Sequence, residues 1–172
     1  MRIKLEDLNI KQASTRDLAN ILTILNETTL NLNQKGIMQW DYPWCEAEVL
    51  ADIELNRAYL LSTNDDDAIA TFFIKGKVSL STLTLEPDSM YLNQIAILPE
   101  YQGQNIGSYI IDYVKHLARI KGKPLYLDCW AGNEKLIEFY SSNGFKNLGN
   151  YPEGDYFVTI LKHDEDSAES KN

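Results

Sequence analysis

The sequence predicts an α+β fold, a mixed sheet with helices packed on it. Three observations predict it. Short apolar runs of strand length come in hairpin-like pairs, amphipathic stretches at helical spacing lie between them, and a strand-Pro-turn-helix segment sits past the middle of the chain. The 172 residues suit one ordinary domain with a single sizeable core. Hydrophobic residues at 44% and charged residues at 24% give a globular balance.

Each element has its own signal. Leu8 to Ala13 reads as a first strand, and Ser14-Thr15-Arg16-Asp17 as a helix start, with a hydroxyl at the cap and an acid in the first turn. Leu18, Ile21, Leu22 and Leu25 then fall on one helical face. An aromatic-rich loop, Gly36 to Trp44, precedes a second helix over Glu46 to Leu55. Ala58 to Ser62 and Ala68 to Ile74, joined by a polar Thr-Asn-Asp-Asp-Asp turn, read as an antiparallel hairpin. Val78 to Pro87 fits either a loop or a short strand. Tyr91 to Leu98 is a strand closed by Pro99, which cannot donate to a ladder.

The clearest helix comes next, with Ile106, Tyr109, Ile110, Tyr113, Val114 and Leu117 as its apolar stripe and Gly122 and Pro124 as its stop. A strand over Leu125 to Trp130, a helix over Asn133 to Asn143 stopped by Gly144, and strands around Phe145 to Leu148 and Tyr156 to Leu161 close the domain, read as residues 1–162. The stretch 163–172 holds four acids against one base and almost nothing apolar, so it reads as a solvated, disordered acidic tail.

Composition excludes several function classes. There is no apolar run of membrane-spanning length, and the acidic N-terminus is unlike a secretory signal, which leaves a cytoplasmic protein as the expectation. Cys45 and Cys129 are too few and too far apart for a disulfide framework or a zinc site, and read as thiols in a reducing compartment. His116 and His163 have no sequence partners that suggest a metal or a triad, and both read as surface residues; no metal is expected. A formal charge of −9 repels nucleic acid and anionic membrane and mildly attracts a cationic amine.

The segment that carries chemistry runs from Leu92 to Gly107: strand, Pro99, a short polar turn, amphipathic helix. A helix N-terminus leaves about four backbone N–H groups unpaired and carries roughly half a positive charge. Small residues there let a diphosphate approach, and Gly103 and Gly107 supply that room. With two glycines and no lysine the turn is neither a P-loop nor a dinucleotide fingerprint. By spacing alone it is equally an ordinary strand-to-helix connection.

The stretch Gln94 to Gly107, however, resembles the cofactor signature of the GNAT superfamily, the Gcn5-related N-acetyltransferases. The stretch Leu125 to Asn133, continued by Phe139-Tyr140-Ser141-Ser142-Asn143-Gly144-Phe145, is similar to that family's second motif, in the family's order and at a typical separation. The resemblance is specific over 90–146 and looser over 1–162. It implies a three-layer α/β/α arrangement with a mixed, mostly antiparallel sheet, and acetyl-CoA as the co-substrate. The family's phosphate turn is Gln/Arg-x-x-Gly-x-Gly/Ala; here Gln102 and Gly107 match, but Asn105 stands for the first glycine. Asn is the non-glycine residue that best tolerates left-handed backbone angles.

The resemblance also implies roles. The backbone of Ile95, Ala96 and Ile97 would pair with the pantetheine amides, and N–H groups of Gln102, Gly103, Gln104, Asn105, Ile106, Gly107 and Ser108 would hold the pyrophosphate. Asn133 would contact the pantetheine arm, and Tyr140 would protonate the departing thiolate; the two lie about two helical turns apart, hence on one face. Without the family, Tyr140 reads as a core aromatic beside Leu136 and Ile137.

A general base is harder to find. The family often has a Glu on the cofactor strand, where Tyr91, Asn93 and Gln94 stand here. Asp128 is a candidate, and equally a strand-edge cap or pairing residue; a water-mediated route is also open. Trp40, Asp41, Tyr42 and Trp44 occupy the loop where the family builds its acceptor pocket, with Trp130 as a further candidate; aromatics and a carboxylate suit a cationic amine, and Trp40 and Trp44 equally suit a cover over the core. The reading is an N-acetyltransferase acting on a small-molecule or peptide amine. The alternative is a non-catalytic CoA-binding sensor on the same scaffold. A homodimer, common in the family, is left open.

Overall fold

The computed structural model describes residues 3–37, 40–76, 79–80 and 83–163. In chain order the elements are β1 (Asn9–Gln12), α1 (Leu18–Gln34), α2 (Glu46–Glu54), β2 (Ala58–Ser62), β3 (Ala68–Lys75), β4 (Ser79–Leu80), β5 (Leu83–Thr84), β6 (Met90–Ile97), α3 (Ile106–Lys121), β7 (Leu125–Trp130), α4 (Glu134–Ser142), β8 (Phe145–Glu153) and β9 (Tyr156–His163). Seven strands form a mixed sheet in the order β1-β2-β3-β6-β7-β9-β8, and β4 pairs with β5 apart from it. The pairs β1/β2, β2/β3, β7/β9 and β8/β9 are antiparallel and β6/β7 is parallel. The predicted α+β class with a mostly antiparallel sheet is therefore the observed one. The ambiguous stretch 78–87 contains the β4/β5 hairpin.

The chain divides into two compact units: Met1–Ile74 with Asn93–Ile110, and Lys75–Leu92 with Ile111–Asn172. In the first, Ser14 caps a short 3-10 turn over Thr15–Asp17 that leads into α1, and its hydroxyl and the Asp17 carboxylate form a reciprocal capping box, as the sequence expects. Asp17 accepts hydrogen bonds from the Ser14 backbone N–H (2.9 Å) and hydroxyl (3.3 Å), with the Lys11 ammonium 3.5 Å away. Helix α1 buries Ile21, Ile24 and Leu25 against Val49 and Ile53 of α2, Ala58 and Leu60 of β2, Phe73 of β3, and Ala96 and Leu98 at the end of β6. Each fully buried aliphatic side chain stabilises the fold by roughly 1.5–3 kcal/mol, so the stretch around Ala96 is held by the core of its unit.

In the second unit Leu85, Tyr91, Tyr126, Val158 and Ile160 form the core, with Leu148 and Tyr151 packed on it. The buried positions of α3 are Ile106, Ile110, Ile111, Val114 and Ala118. Tyr109, Tyr113 and Leu117, expected in the stripe, lie half-buried along its margin. Small Ala118 takes the inward position because it permits close approach, while the two tyrosines keep a polar tip near water.

One expectation is corrected here. His163, read as a surface residue of the tail, is the last residue of β9, 8% exposed, with its ring 5.5 Å from that of Phe145. The polarity of Lys162 and His163 predicts a strand end at Leu161; β9 continues because Phe145 pairs with His163 in the β8/β9 ladder. His116 is exposed, as expected. The acidic stretch from residue 164 onward lies outside the described residues.

A polar clasp ties the segment after β5 to the sheet. The Lys162 ammonium lies 2.7 Å from the Glu86 carboxylate and above the Tyr126 ring, and the Tyr126 hydroxyl donates to Glu86 at 3.0 Å. The Lys162 and Tyr126 hydrogen bonds hold the Glu86 carboxyl below its usual pKa. A depressed carboxyl contributes stability above its unfolded pKa, and that contribution is lost as pH falls through the lower folded value. Glu86 is half exposed, so solvent screening limits the effect. The Lys162→Met protein is expected to lose about 0.5 kcal/mol at pH 7 and nothing below about pH 3, read from urea unfolding at the two pH values.

Candidate active site

The first unit carries the strand end and the polar turn. Strand β6 pairs with β7 over Met90–Leu92, in register with Leu125–Leu127. Two residues later Gln94 adopts φ +55°, a left-handed conformation that a non-glycine residue rarely takes and that breaks the pleat. Ala96 is buried, while Ile95 and Ile97 on either side are half-buried. Leu98 donates its N–H to Ile69 O at 2.9 Å, which fixes the strand end.

The turn after Pro99 is built around Gln102. Its side-chain Nε2 donates to Ile97 O at 2.9 Å, and the Thr28 hydroxyl of α1 donates to the same carbonyl at 3.3 Å. Its own backbone N–H donates to Pro99 O at 3.2 Å, so of the seven N–H groups expected to face a pyrophosphate, that of Gln102 is already engaged. Gly103 has φ +79° and Asn105 φ +66°. Asn105 thus takes the left-handed angle for which its substitution for glycine is best suited. Gln104 accepts from Ile3 N–H at 2.7 Å, which pins the N-terminal segment to the turn. Ile106 is buried, Gly107 and Ser108 are half-buried, and the first helical hydrogen bond runs from Tyr109 N–H to Asn105 O. The N–H groups of Ile106, Gly107 and Ser108 fall in the turn that helix geometry leaves without intrahelical acceptors.

The aromatic loop of the same unit divides. Trp40 and Trp44 meet edge to face at 5.5 Å and pack on the cluster that holds Ala96. The Trp44 indole N–H donates to Thr29 Oγ1 at 2.8 Å, and its backbone N–H to Asn26 Oδ1 at 2.9 Å. Asp41 and Tyr42 are exposed. Residues 38 and 39 of this loop lie outside the described residues.

The second unit brings together Tyr91, Asp128, Cys129, Trp130, Asn133 and Tyr140. Along β7 the side chains alternate, so buried Cys129 faces one side and half-buried Asp128 and Trp130 the other. The Tyr91 hydroxyl donates to Asp128 Oδ2. Burial, with the Asp128 charge beside it, pushes the Cys129 thiol up to about 12, which keeps it a protonated, inert thiol. Asn133 caps α4, its Oδ1 accepting from Leu136 N–H at 3.1 Å. Tyr140 is buried beside the rings of Phe139 (5.4 Å) and Phe145 (6.0 Å), as its reading as a core aromatic expects. Burial first, then Cys129 and Asp128, raise the Tyr140 phenol above its ordinary pKa. Among the described residues no group hydrogen-bonds the Tyr140 hydroxyl.

Trp130 is held by the turn after it. A Cβ on Gly132 would come within 2.5 Å of Trp130 Cη2, and the indole lies over that glycine. The Gly132→Ala protein is expected to shift Trp130 and to lose about 1–3 kcal/mol of stability, visible as a lower melting temperature and an altered near-ultraviolet circular dichroism spectrum.

Sequence reasoning missed Thr28, Ile3 and Tyr91, each of which anchors a site residue across a long sequence separation that no local spacing reports. Among the described residues no group of three or more His, Cys, Asp or Glu could hold a metal ion, and no helix is long and apolar enough to cross a membrane.

Comparison with known proteins adds two findings. The family model described as "Acetyltransferase (GNAT) family" matches residues 24–145. Solved structures with the same fold include a GNAT-family acetyltransferase from Listeria monocytogenes (20% identity, TM-score 0.71, 90% of this chain and 94% of that one). The ribosomal-protein-S18-alanine N-acetyltransferase of Escherichia coli is similar at 21% identity and TM-score 0.66, over 90% and 92% of the two chains. A third, the PaiA N-acetyltransferase from Thermoplasma acidophilum in complex with coenzyme A, matches at 18% identity and TM-score 0.68, over 90% and 98%.

Proposed function

Because this chain belongs to the GNAT acetyltransferase family, we propose that it moves an acetyl group from acetyl-CoA to a primary amine of a small molecule or peptide, by direct attack of the amine on the thioester. The observation that carries the reading is the turn after β6. Two left-handed residues, Gly103 and Asn105, and the Gln102 side chain bonded to Ile97 O present a helix N-terminus directly after the strand end. N–H groups of Gly103, Gln104, Asn105, Ile106, Gly107 and Ser108 are the proposed pyrophosphate donors, with Gln102 as the brace of the turn. Backbone groups of Ile95, Ala96 and Ile97 would pair with the pantetheine amides. The Asn133 Oδ1 is committed to its helix cap, which leaves the amide NH2 as the end that reaches the pantetheine arm.

The chemistry then needs three things. The neutral amine nitrogen attacks the carbonyl carbon, and the oxyanion that forms needs an N–H donor, for which that of Ile97 is proposed. The nitrogen must lose a proton, proposed to pass to Asp128 directly or through water. As the C–S bond breaks, the thiolate takes a proton from the Tyr140 hydroxyl. The raised pKa keeps that phenol protonated at every working pH; a thiolate beside it in the same dry surroundings is correspondingly more basic, so the transfer stays feasible. Asp41, Tyr42 and Trp130 are the proposed acceptor contacts, and Trp40 and Trp44 pack on the core of their own unit.

Incubation with acetyl-CoA and a panel of polyamines, amino acids, aminoglycosides and peptide N-termini, read as free CoA thiol, tests the proposal; acceptor-dependent CoA release is the expected result. The second reading, a CoA-binding sensor, draws on the absence of a carboxylate at Tyr91, Asn93 and Gln94 of β6. Tight CoA binding with no release on any amine would favour it.

A further inference from the structure

We infer that Tyr91 is a positioning residue for the proposed base: its hydroxyl, held in place by the packing of its ring, fixes the orientation of the Asp128 carboxylate that takes the amine proton. The inference rests on the proposed role of Asp128 and gives a function to a residue that the sequence marks only as the place of a missing carboxylate.

Tyr91 pairs with Tyr126 in the parallel β6/β7 ladder, and Asp128 lies two residues on along β7, on the same face. A tyrosine is long enough to cover that distance along the strand, and its hydroxyl reaches Asp128 Oδ2. The Tyr91 ring itself is 0% exposed, packed with Leu85, Tyr126, Val158 and Ile160. A donor fixed by its own packing costs little further ordering to hold its acceptor, and so orients the carboxylate.

The charged and titratable neighbours are consistent with Tyr91 as donor. Asp128 and Cys129 of β7 and Glu153 of β8 act on the Tyr91 phenol electrostatically, and Tyr140 of α4 feels both Asp128 and Cys129. Burial, then the Asp128 carboxylate, push the Tyr91 phenol above its ordinary pKa, so it donates throughout the working pH range and never competes as a base. Donation to the charged carboxylate favours the ionised form. Tyr91 therefore has two effects: it fixes the direction of Asp128, and it keeps Asp128 ionised to lower pH than a carboxylate without this donor.

The test compares wild type with Tyr91→Phe and Asp128→Asn. Carbon-13 carboxylate resonances of aspartate-labelled whole protein, with Asp128 assigned by its loss in Asp128→Asn, give its titration directly and need no acceptor. The rate arm measures kcat/KM against pH with the best amine of the panel. In Tyr91→Phe the Asp128 midpoint and the acid limb of the rate profile are expected to rise together by about one pH unit. The plateau rate is expected to fall by about tenfold with the KM for acetyl-CoA unchanged. A wild-type Asp128 midpoint in folded Tyr91→Phe protein overturns the inference, as does an unmoved acid limb when Asp128→Asn is inactive. Full turnover in Asp128→Asn instead removes the base assignment itself, and the inference with it. Should Tyr91→Phe not fold, Asp128→Glu shifts the carboxylate away from the hydroxyl and is expected to give the same coupled rise; its absence there overturns the inference equally.

Discussion

Tyr140→Phe protein is expected to turn over about 100-fold more slowly while binding CoA within about twofold of wild type, the loss typical of removing a general acid. The fold should not suffer. The Tyr140 hydroxyl makes no hydrogen bond among the described residues, and its ring packs on Phe139 and Phe145 through carbon atoms that phenylalanine keeps. Removing a hydroxyl that makes no hydrogen bond costs little. Melting temperature is therefore the control, calorimetric CoA titration measures binding, and CoA release measures turnover. Undiminished turnover would remove Tyr140 from the mechanism. Lost binding would mean that its ring serves the pocket rather than the chemistry.

Asn105 gives the second large effect, with opposite signs for two substitutions. Its φ of +66° is open to glycine and strained for a β-branched residue, at a cost of about 1–3 kcal/mol. Asn105→Val is therefore expected to weaken acetyl-CoA binding by roughly 10- to 100-fold, because the strain is relieved only by moving the N–H groups that come after it. Asn105→Gly keeps the angle and removes the side chain, and is expected to bind as tightly as wild type or better. Calorimetric affinities for the two proteins, alongside their melting temperatures, separate a local effect from general unfolding. Equal affinity in the Val protein would mean that the turn is not the pyrophosphate cradle.

The two motifs are legible because their chemistry is local. A turn that exposes helix N–H groups needs small or left-handed residues at fixed offsets from a strand, and Gly103, Asn105 and Gly107 occupy them. The strands Ala58–Ser62 and Leu125–Trp130 also end where their turn residues say they should. What sequence cannot report is contact across distance. Thr28 on Ile97 O and Tyr91 on Asp128 join residues whose spacing carries no period. His163 is misplaced for a related reason: its burial comes from pairing with Phe145, not from its own polarity. Asn133, proposed as a site residue from the resemblance alone, is the cap of α4, and Asn before an amphipathic stretch is a capping signal.

The indole of Trp44 has a consequence for how such a protein changes what it accepts. Its N–H bond to Thr29 and its seat on the cluster around Ala96 make it part of the support of the strand end. Substitution of Trp44 or Trp40 is therefore expected to cost folding stability. Asp41 and Tyr42, between them in the chain and exposed, carry no such constraint. Under the proposed acceptor role of this loop, laboratory selection for a new amine should randomise those two positions and leave the tryptophans alone.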